Sequence, residues 1–191
     1  QDITSLCGKI LRINPANGHG YASNPYKDSD LMSVRSRVYA YGLRNPFRFT
    51  VRPGTGSVDT TAGNPGVLCL GDVGWDTYEE LNVVTSPGQN FGWPCVEGPA
   101  PQPGYQAVGL SLCQRLYDDP SLVTSPRLTY RHADAVVAGD GCPKGASSSA
   151  TGLAFWTGGS YPAAYTGGLF FSDYSRGCTW FAPLGANGSP D

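Results

Sequence analysis

The sequence has few charged residues, no long apolar run and no closely paired cysteines. Charged side chains make up only 15% of its 191 residues and the net charge is −2, so no basic surface for nucleic acid or an anionic membrane is indicated. No apolar run approaches the roughly 18 residues that a membrane helix needs. No Cys-x-x-Cys pair occurs, which argues against zinc. The first residues lack the basic start and apolar core of a signal peptide.

Turn-forming and aromatic residues are abundant instead. The 26 Gly and 16 Pro are scattered without a short period, and aromatic residues lie between them. This mixture predicts many short strands joined by tight turns. One short helix is predicted at 110–117 and a loop at 19–36. The predicted strands are 8–13, 37–41, 47–51, 67–70, 79–84, 127–131, 152–156, 168–172 and 178–182.

Many short strands and almost no helix predict an all-β fold, and two internal echoes favour a β-propeller. The segments G-V-L-C-L-G-D-V (66–73) and G-G-L-F-F-S-D-Y (167–174) share a pattern of small residues, an apolar run and an aspartate. The segments R-V-Y-A-Y-G (37–42) and R-L-T-Y-R-H (127–132) are both strands that begin with arginine. Propeller blades take roughly 40–50 residues each. Residues 1–191 are therefore expected to form a single partial propeller domain of about three to four blades, part of a larger one.

Six cysteines predict disulfides formed in an oxidising compartment, and hence a secreted protein. The spacing alone does not choose among the possible connectivities. The pairs that we expect are Cys95–Cys113 and Cys142–Cys178, with Cys7–Cys69 as the remainder. Asn187-Gly188-Ser189 is an N-glycosylation sequon, which agrees with secretion.

Four motifs, in order along the chain, carry a resemblance to a known family. They are G-K-I-L-R-I-N-P from residue 8, V-Y-A-Y-G-L-R-N-P-F-R-F from 38, G-D-V-G-W-D-T-Y-E-E-L-N-V-V from 71 and G-Q-N-F-G-W-P from 88. Together they resemble the glucose/sorbosone dehydrogenase family of soluble, secreted quinoproteins with a six-bladed propeller. The resemblance implies oxidation of a sugar hydroxyl with hydride transfer to pyrroloquinoline quinone (PQQ). It covers the central portion of the family's domain.

The resemblance also implies cofactor-binding residues. Arg44 and Asn45 match the pair that contacts the quinone, and Gly74 and Trp75 match the main-chain oxygens that bind calcium. A second, structural calcium site involves the neighbourhood of Glu80. PQQ and Ca²⁺ are therefore the implied cofactors. Bare chemistry agrees, because calcium prefers oxygen ligands and arginine offers a rigid fork to a planar anion.

The chain departs from the family pattern at several positions. The family's catalytic histidine lies upstream of the first motif, so no catalytic residue is assigned here. Val73 stands where the family has Gln, and Ser175 falls near a quinone-binding Lys. These departures favour a competing interpretation, a non-catalytic extracellular propeller that binds carbohydrate or protein or belongs to a surface assembly. The expected partners are a sugar and, at open sheet edges, further polypeptide.

For the remaining chemistry-bearing residues, structural roles are expected. A general base needs a positioned partner, and neither histidine has an evident one in the sequence, so both are interpreted as surface residues. The spacing of the acidic residues near residue 75 does not match an EF-hand, which favours solvated turn carboxylates. The tryptophans are expected mainly to pack between blades. These residues are His19 and His132, then Asp72, Asp76, Glu79 and Glu80, and then Trp75, Trp93, Trp156 and Trp180.

Overall fold

The structure is a computed structural model that describes residues 1–145, 147–185 and 190. The strands are β1 (Lys9–Leu11), β2 (Val38–Tyr41), β3 (Pro46–Val51), β4 (Leu68–Asp72), β5 (Tyr78–Val84), β6 (Val96–Glu97), β7 (Ala100–Pro101), β8 (Leu128–Arg131), β9 (Ala150–Phe155), β10 (Leu169–Asp173) and β11 (Cys178–Ala182). The helices are α1 (Val34–Arg37), α2 (Pro103–Val108) and α3 (Ser111–Asp118). Among the described residues, no helix has the length and apolarity to cross a bilayer. The sequon at Asn187 lies outside the described residues.

The strands form antiparallel sheets in which neighbours follow one another along the chain, except that β8 pairs with β5 after the β6–β7 hairpin. One sheet has the order β3–β4–β5–β8 and a second the order β9–β10–β11, while β1–β2 and β6–β7 are separate pairs. This up-and-down order is that of propeller blades. Every predicted strand is present, with ends that differ by one or two residues. The short pair β6–β7 was not predicted, because two-residue strands leave no periodic pattern in a sequence.

The central strand β4 is buried on both faces and divides the core in two. Its Leu68 and Leu70 belong to a hydrophobic cluster with β1 and β2. Cys69, which points to the opposite face, joins a cluster with the β9–β11 sheet. Because side chains alternate along a strand, one strand can serve two cores in this way. The stacked sheets therefore hold the loops at the ends of β4 and β5 on a rigid base.

A glycine lets the second sheet approach β4 closely. A Cβ atom on Gly71 would lie 2.4 Å from the carbonyl oxygen of Ala150, nearer than any side chain allows. Gly71 thus brings the start of β9 against the end of β4. This contact sets Ala150 beside β5, where it takes part in the candidate site described below.

Two of the three expected disulfides are present. Cys95 bonds to Cys113, and Cys142 bonds to Cys178. The expected Cys7–Cys69 pair is wrong, since both thiols are free. Cys7 is exposed before β1, whereas Cys69 is buried in the core under β4, so the two sulfurs lie in different environments.

The helical content is higher than the sequence indicated. The predicted segment 110–117 corresponds to α3, but α2 was missed because the segment before it is rich in proline. Pro103 stands at the start of α2, where its missing N–H costs nothing. The side chain of Gln102 caps the helix by accepting a hydrogen bond from Tyr105 N. The region predicted as a loop at 19–36 also contains most of the short helix α1.

Candidate functional site

The Arg44-Asn45 pair is held by one buried carboxylate. The backbone N–H of Arg44 donates to Asp72 Oδ2 at 2.9 Å, and that of Asn45 donates to Asp72 Oδ1 at 2.6 Å. Burial raises the pKa of Asp72 to about 6, although these two hydrogen bonds act to lower it. Asp72 therefore positions both residues that the resemblance assigned to the quinone, and it is not the solvated turn carboxylate that the sequence suggested.

The side chain of Arg44 turns towards the predicted calcium-binding turn. Its Nη1 donates to the carbonyl oxygens of Val73 at 2.9 Å and Gly74 at 2.7 Å. The guanidinium also lies 5.6 Å from the centre of the Trp93 ring. Its remaining N–H groups have no hydrogen-bond partner among the described residues and can reach a ligand. Asn45, the next residue, is exposed.

A second buried carboxylate organises the turn between β4 and β5. Glu97 Oε1 accepts hydrogen bonds at 2.9 to 3.1 Å from four successive backbone N–H groups, those of residues 75 to 78. Gly74 is required at the start of this turn, because a Cβ atom there would lie 1.6 Å from the carbonyl oxygen of Tyr78. The other oxygen, Glu97 Oε2, is buried without a partner within the described part of the chain.

Glu80 adds a further buried carboxylate to this region. It accepts hydrogen bonds from Gly98 N at 2.6 Å and Asn82 Nδ2 at 2.9 Å. Burial, and then the neighbouring Asp72, raise the pKa of Glu80 to about 8. The sequence interpretation of these acids as solvated is therefore wrong for Glu80 as well, and Asp76 alone of the four is exposed. The reason is that β5 has sheet neighbours and cores on both faces.

The Gly74 carbonyl, one of the expected calcium ligands, does not fit a metal ion in this arrangement. The Gly74 carbonyl already accepts a hydrogen bond from Arg44, so a guanidinium holds the oxygen that calcium would bind. Two cations at one carbonyl oxygen repel each other. Among the described residues, no three His, Cys, Asp or Glu side chains converge as a metal site, Glu80 included. No step of the chemistry is therefore assigned to calcium at Gly74, Trp75 or Glu80.

A pocket beside Asn45 fits one side of a planar, polar ligand. Its volume is about 270 Å³, and it lies between the β3, β4 and β9 ends and the loop after β10. The lining offers an amide, two aliphatic hydroxyls, a phenolic hydroxyl and two aromatic rings. These residues are Asn45, Phe47, Val73, Ser149, Thr151 and Tyr174. Amide and hydroxyl groups suit quinone and carboxylate oxygens, and the rings suit its flat faces, so PQQ is compatible with the pocket.

The residues around Ser175, where the resemblance places the family's quinone-binding lysine, include no lysine in this chain. Ser175 Oγ lies 2.8 Å from Ser149 Oγ, at the edge of this pocket. The adjacent Arg176 does not replace the lysine, because its side chain is buried and turned away from the pocket. It forms an ion pair with Asp173 at 3.7 Å and donates to the backbone carbonyls of residues 131, 132 and 134.

His132 belongs to a buried network that the sequence interpretation missed. His132 is 8% exposed, and its Nε2 lies 2.9 Å from Glu79 Oε1. Glu79 also accepts hydrogen bonds from Gly74 N at 3.3 Å and Ala150 N at 2.8 Å. Burial lowers the pKa of His132 and raises that of Glu79 to about 7. The interpretation of His132 as a surface residue is wrong; His19 is half-buried.

A signal for this network was present in the sequence. Glu79 shares one face of β5 with Leu81 and Val83, which pack in the second core, so period-two alternation places its carboxylate inside. Its partner could not be read in the same way. His132 follows β8, which pairs with β5 only in the folded sheet. Glu79 thereby joins the Gly74 turn to the start of β9.

Comparisons with known proteins place this geometry in context. The sequence model of the Glucose / Sorbosone dehydrogenase family matches residues 1–132. The HIPL2 protein of Arabidopsis thaliana is 29% identical over 197 residues, which covers 95% of this chain and 25% of that protein. Quinoprotein glucose dehydrogenase B of Acinetobacter calcoaceticus is 29% identical over 111 residues, covering 58% of this chain and 20% of that protein.

A solved structure supports the fold. The PQQ-bound aldose sugar dehydrogenase from Streptomyces coelicolor aligns with a TM-score of 0.54 and 24% identity, over 97% of this chain and 37% of that one. At this identity the likeness shows the fold alone, which confirms the predicted β-propeller class. The chain spans about a quarter of the length of the first relative and less than half of the solved structure.

Proposed function

We propose, since the chain belongs to the glucose/sorbosone dehydrogenase family, that it forms one wall of a sugar-oxidising site of the quinoprotein type. The observation that carries the proposal is the clamp of Asp72 on the Arg44-Asn45 backbone, beside a pocket that Asn45 lines. A buried acceptor that fixes two successive N–H groups holds the adjacent side chains in one geometry. Such preorganisation is what a cofactor site needs.

The residues of this wall would hold PQQ from one side. Asn45 lines the pocket, and the preceding Arg44 places its positive charge at the adjoining turn, where it donates to Val73 and Gly74. Ser149 and Thr151 add hydroxyls to the lining of the same pocket. When bound, PQQ would accept the hydride that leaves the sugar carbon bearing the oxidised hydroxyl. His132 is not proposed as the proton acceptor, because its Nε2 is engaged with buried Glu79.

The competing function is a non-catalytic extracellular propeller. The occupied Gly74 carbonyl and the inward-turned Arg176 favour this second candidate, since both remove features on which the family's cofactor site depends. A secreted location is proposed in either case, because the two disulfides require an oxidising compartment to form.

We also propose that further polypeptide covers the sheet edges. Phe47 and Phe49 on the edge strand β3 are 58% and 56% exposed, and Tyr161 beside the second sheet is 54% exposed. Exposed apolar side chains along an open edge favour association. More of the same chain, or another chain, would bury them. A monodisperse 20.2 kDa monomer in analytical ultracentrifugation, with these edges protected from solvent, would contradict this part.

The central experiment measures quinone binding separately from activity. PQQ is titrated into the protein and followed by quenching of tryptophan fluorescence, with Asn45→Ala and Asp72→Asn as variants and Asn17→Ala, in an exposed turn, as the control. Both site variants should weaken binding about tenfold or more, since each removes or displaces a polar contact, while the control should bind as the parent does.

Dye reduction then separates the two functions. The protein is supplied with PQQ and calcium, and sugar-dependent reduction of a redox dye is recorded. Quinone binding that depends on Asn45, together with sugar-dependent reduction, supports the dehydrogenase. Absence of quinone binding removes the proposal. Quinone binding without any sugar-dependent reduction, measured with the further polypeptide that is proposed to cover the sheet edges, supports the non-catalytic propeller.

A further inference from the structure

Three aromatic side chains form a cluster on the surface next to Arg44. The ring centres of Trp75, Trp93 and Tyr105 lie 5.6 to 5.7 Å apart in every pair, with planes inclined by 60° to 75°. Trp93 and Tyr105 are half-buried, whereas Trp75 is 47% exposed. A single exposed tryptophan needs no explanation, but one supported by two further rings presents a contiguous aromatic surface.

The cluster is held rigidly from below. The backbone of Trp75 is one of the four N–H donors to buried Glu97, so its position is set by the turn. Tyr105 lies in the first turn of α2, whose capping residue Gln102 donates to Asp76 Oδ2 at 3.2 Å. The helix and the turn are therefore linked directly. An aromatic surface that is ordered before binding loses little conformational entropy when a ligand docks.

Polar groups border the exposed indole. Asp76 is exposed, and its Oδ1 accepts no hydrogen bond from the described residues. The free N–H groups of Arg44 lie beside Trp93, and the indole N–H of Trp75 has no partner within the described part of the chain. The border thus offers a carboxylate acceptor, a guanidinium donor and an indole donor around an apolar face.

We propose that Trp75 is the stacking platform of a binding subsite for a neutral pyranose sugar. A pyranose with equatorial hydroxyls has an apolar C–H face that matches an indole, and hydroxyl pairs on its rim that match Asp76 and Arg44. A peptide segment would satisfy the aromatic surface but would not need both charged groups around it. The subsite deepens the proposed function, on which its ligand class rests, and its three aromatic residues lie outside the pocket beside Asn45.

The other tryptophans do not offer an equivalent surface. Trp180 is 7% exposed within the second core. Trp156 is half-buried and stacks on Tyr161 with ring centres 4.7 Å apart, so a ring of the protein already occupies one of its faces. Trp156 therefore provides a matched control, being a tryptophan in another aromatic cluster.

The test measures sugar binding without quinone and with a calcium chelator present. Methyl β-D-glucopyranoside is titrated up to about 50 mM, a range suited to millimolar affinities, and saturation-transfer NMR reports the bound face. The variants are Trp75→Ala, Trp75→Phe and Asp76→Asn, with Trp156→Phe as the control. Trp75→Ala should weaken binding about tenfold or more, Trp75→Phe only a few-fold, and Trp156→Phe not at all. Asp76→Asn should weaken binding to an intermediate degree.

Each outcome bears on the subsite alone. Saturation transfer to the C–H face of the sugar, lost in Trp75→Ala, supports the proposal even where dye reduction fails. Failure of the parent protein to bind the sugar, or equal binding by Trp75→Ala, overturns it, even where the protein proves to be a dehydrogenase. Binding of a proline-rich or aromatic peptide with Trp75 dependence, and no sugar binding, overturns it in favour of a protein-docking surface.

Discussion

Strand β5 carries adjacent glutamates that enter two buried networks of very different charge balance. Glu80 faces the first network, with Asp72 and Glu97 nearby, and there the carboxylates are held mostly by backbone N–H groups. Glu79 faces the second network, which contains an arginine paired with an aspartate. The carboxylates of both networks are buried, so the difference lies in what compensates their charge.

The second network is internally complete. The guanidinium of Arg176 pairs with Asp173, donates to Ser148 Oγ at 2.8 Å and satisfies three backbone carbonyls. Tyr130 donates its hydroxyl to Asp173 Oδ2 at 2.9 Å, and its ring lies 5.0 Å below the guanidinium. Each of the three guanidinium nitrogens donates to a protein acceptor, so this buried cation links the loops that surround it.

The first network is incomplete by comparison. Its only cation, Arg44, is half-buried and spends one nitrogen on backbone carbonyls, while Glu97 Oε2 has no partner among the described residues. Uncompensated buried charge with free donors beside it is typical of functional sites. One side of β5 is therefore filled by internal contacts, whereas the other keeps an unpartnered carboxylate oxygen, among the described residues, beside the proposed site.

The largest expected effect is the loss of the second network's cation. Arg176→Met leaves Asp173 as an uncompensated buried charge and removes the hydrogen-bond donor of several carbonyl groups. The free energy of unfolding should therefore fall by about 3–5 kcal/mol. Urea denaturation followed by tryptophan fluorescence measures it. Arg48→Met, on an exposed position of β3, serves as the control and should change stability by less than about 0.5 kcal/mol. Equal stability of the two variants would show that the network is not structural.

A smaller effect is expected in the pH dependence of the free energy of unfolding, to which Glu80 of the first network should contribute. Burial raises the pKa of Glu80 to about 8 and that of Glu79 to about 7, above the 4.5 of an unfolded glutamate. The folded state then keeps protons that the unfolded state has released, so this stabilisation is lost as pH rises through these values. Burial lowers the pKa of His132, which acts in the opposite direction as pH falls below 6.5.

The window from about pH 6.5 to 8 therefore reports on the carboxylates. Glu80 alone should account for a loss of up to about 2 kcal/mol across it. Glu80→Gln should flatten the fall in unfolding free energy, whereas Asp118→Asn, the loss of an exposed charge, should leave the slope unchanged. A parent protein whose stability is constant across this window would contradict the assignment of excess buried charge.

The smallest effect concerns the reactivity of the two free thiols, Cys7 and Cys69. Cys7 is exposed and should react at once with a thiol reagent in the native protein. Cys69 is buried in the core with Tyr130, and burial raises its pKa to about 12, so it should react only on unfolding. Without reductant, one thiol is expected per native chain and two in denaturant. If no thiol is detected in denaturant, the predicted disulfide between Cys7 and Cys69 would be supported after all.

Motifs in the sequence identified several residues of the candidate site, but they did not predict the hydrogen bonds that these residues form. Arg44, Asn45 and Gly74 stand out because the motifs that contain them occur in a fixed order. Glu97 does not, since its role is to accept four N–H groups from a turn some twenty residues earlier, a contact that only chain folding creates. The missed burial of His132 has the same cause, because its partner Glu79 lies on a different strand.

The sequence by itself determined the class of fold, because alternating apolar residues and frequent turn formers admit little besides short antiparallel strands. Its motifs also determined the family. Tertiary structure alone decided which acids are buried, since burial depends on the sheets that cover each face of β5 and not on local polarity. It also decided that the Gly74 carbonyl binds Arg44, and that Trp75 is the tryptophan left open to solvent.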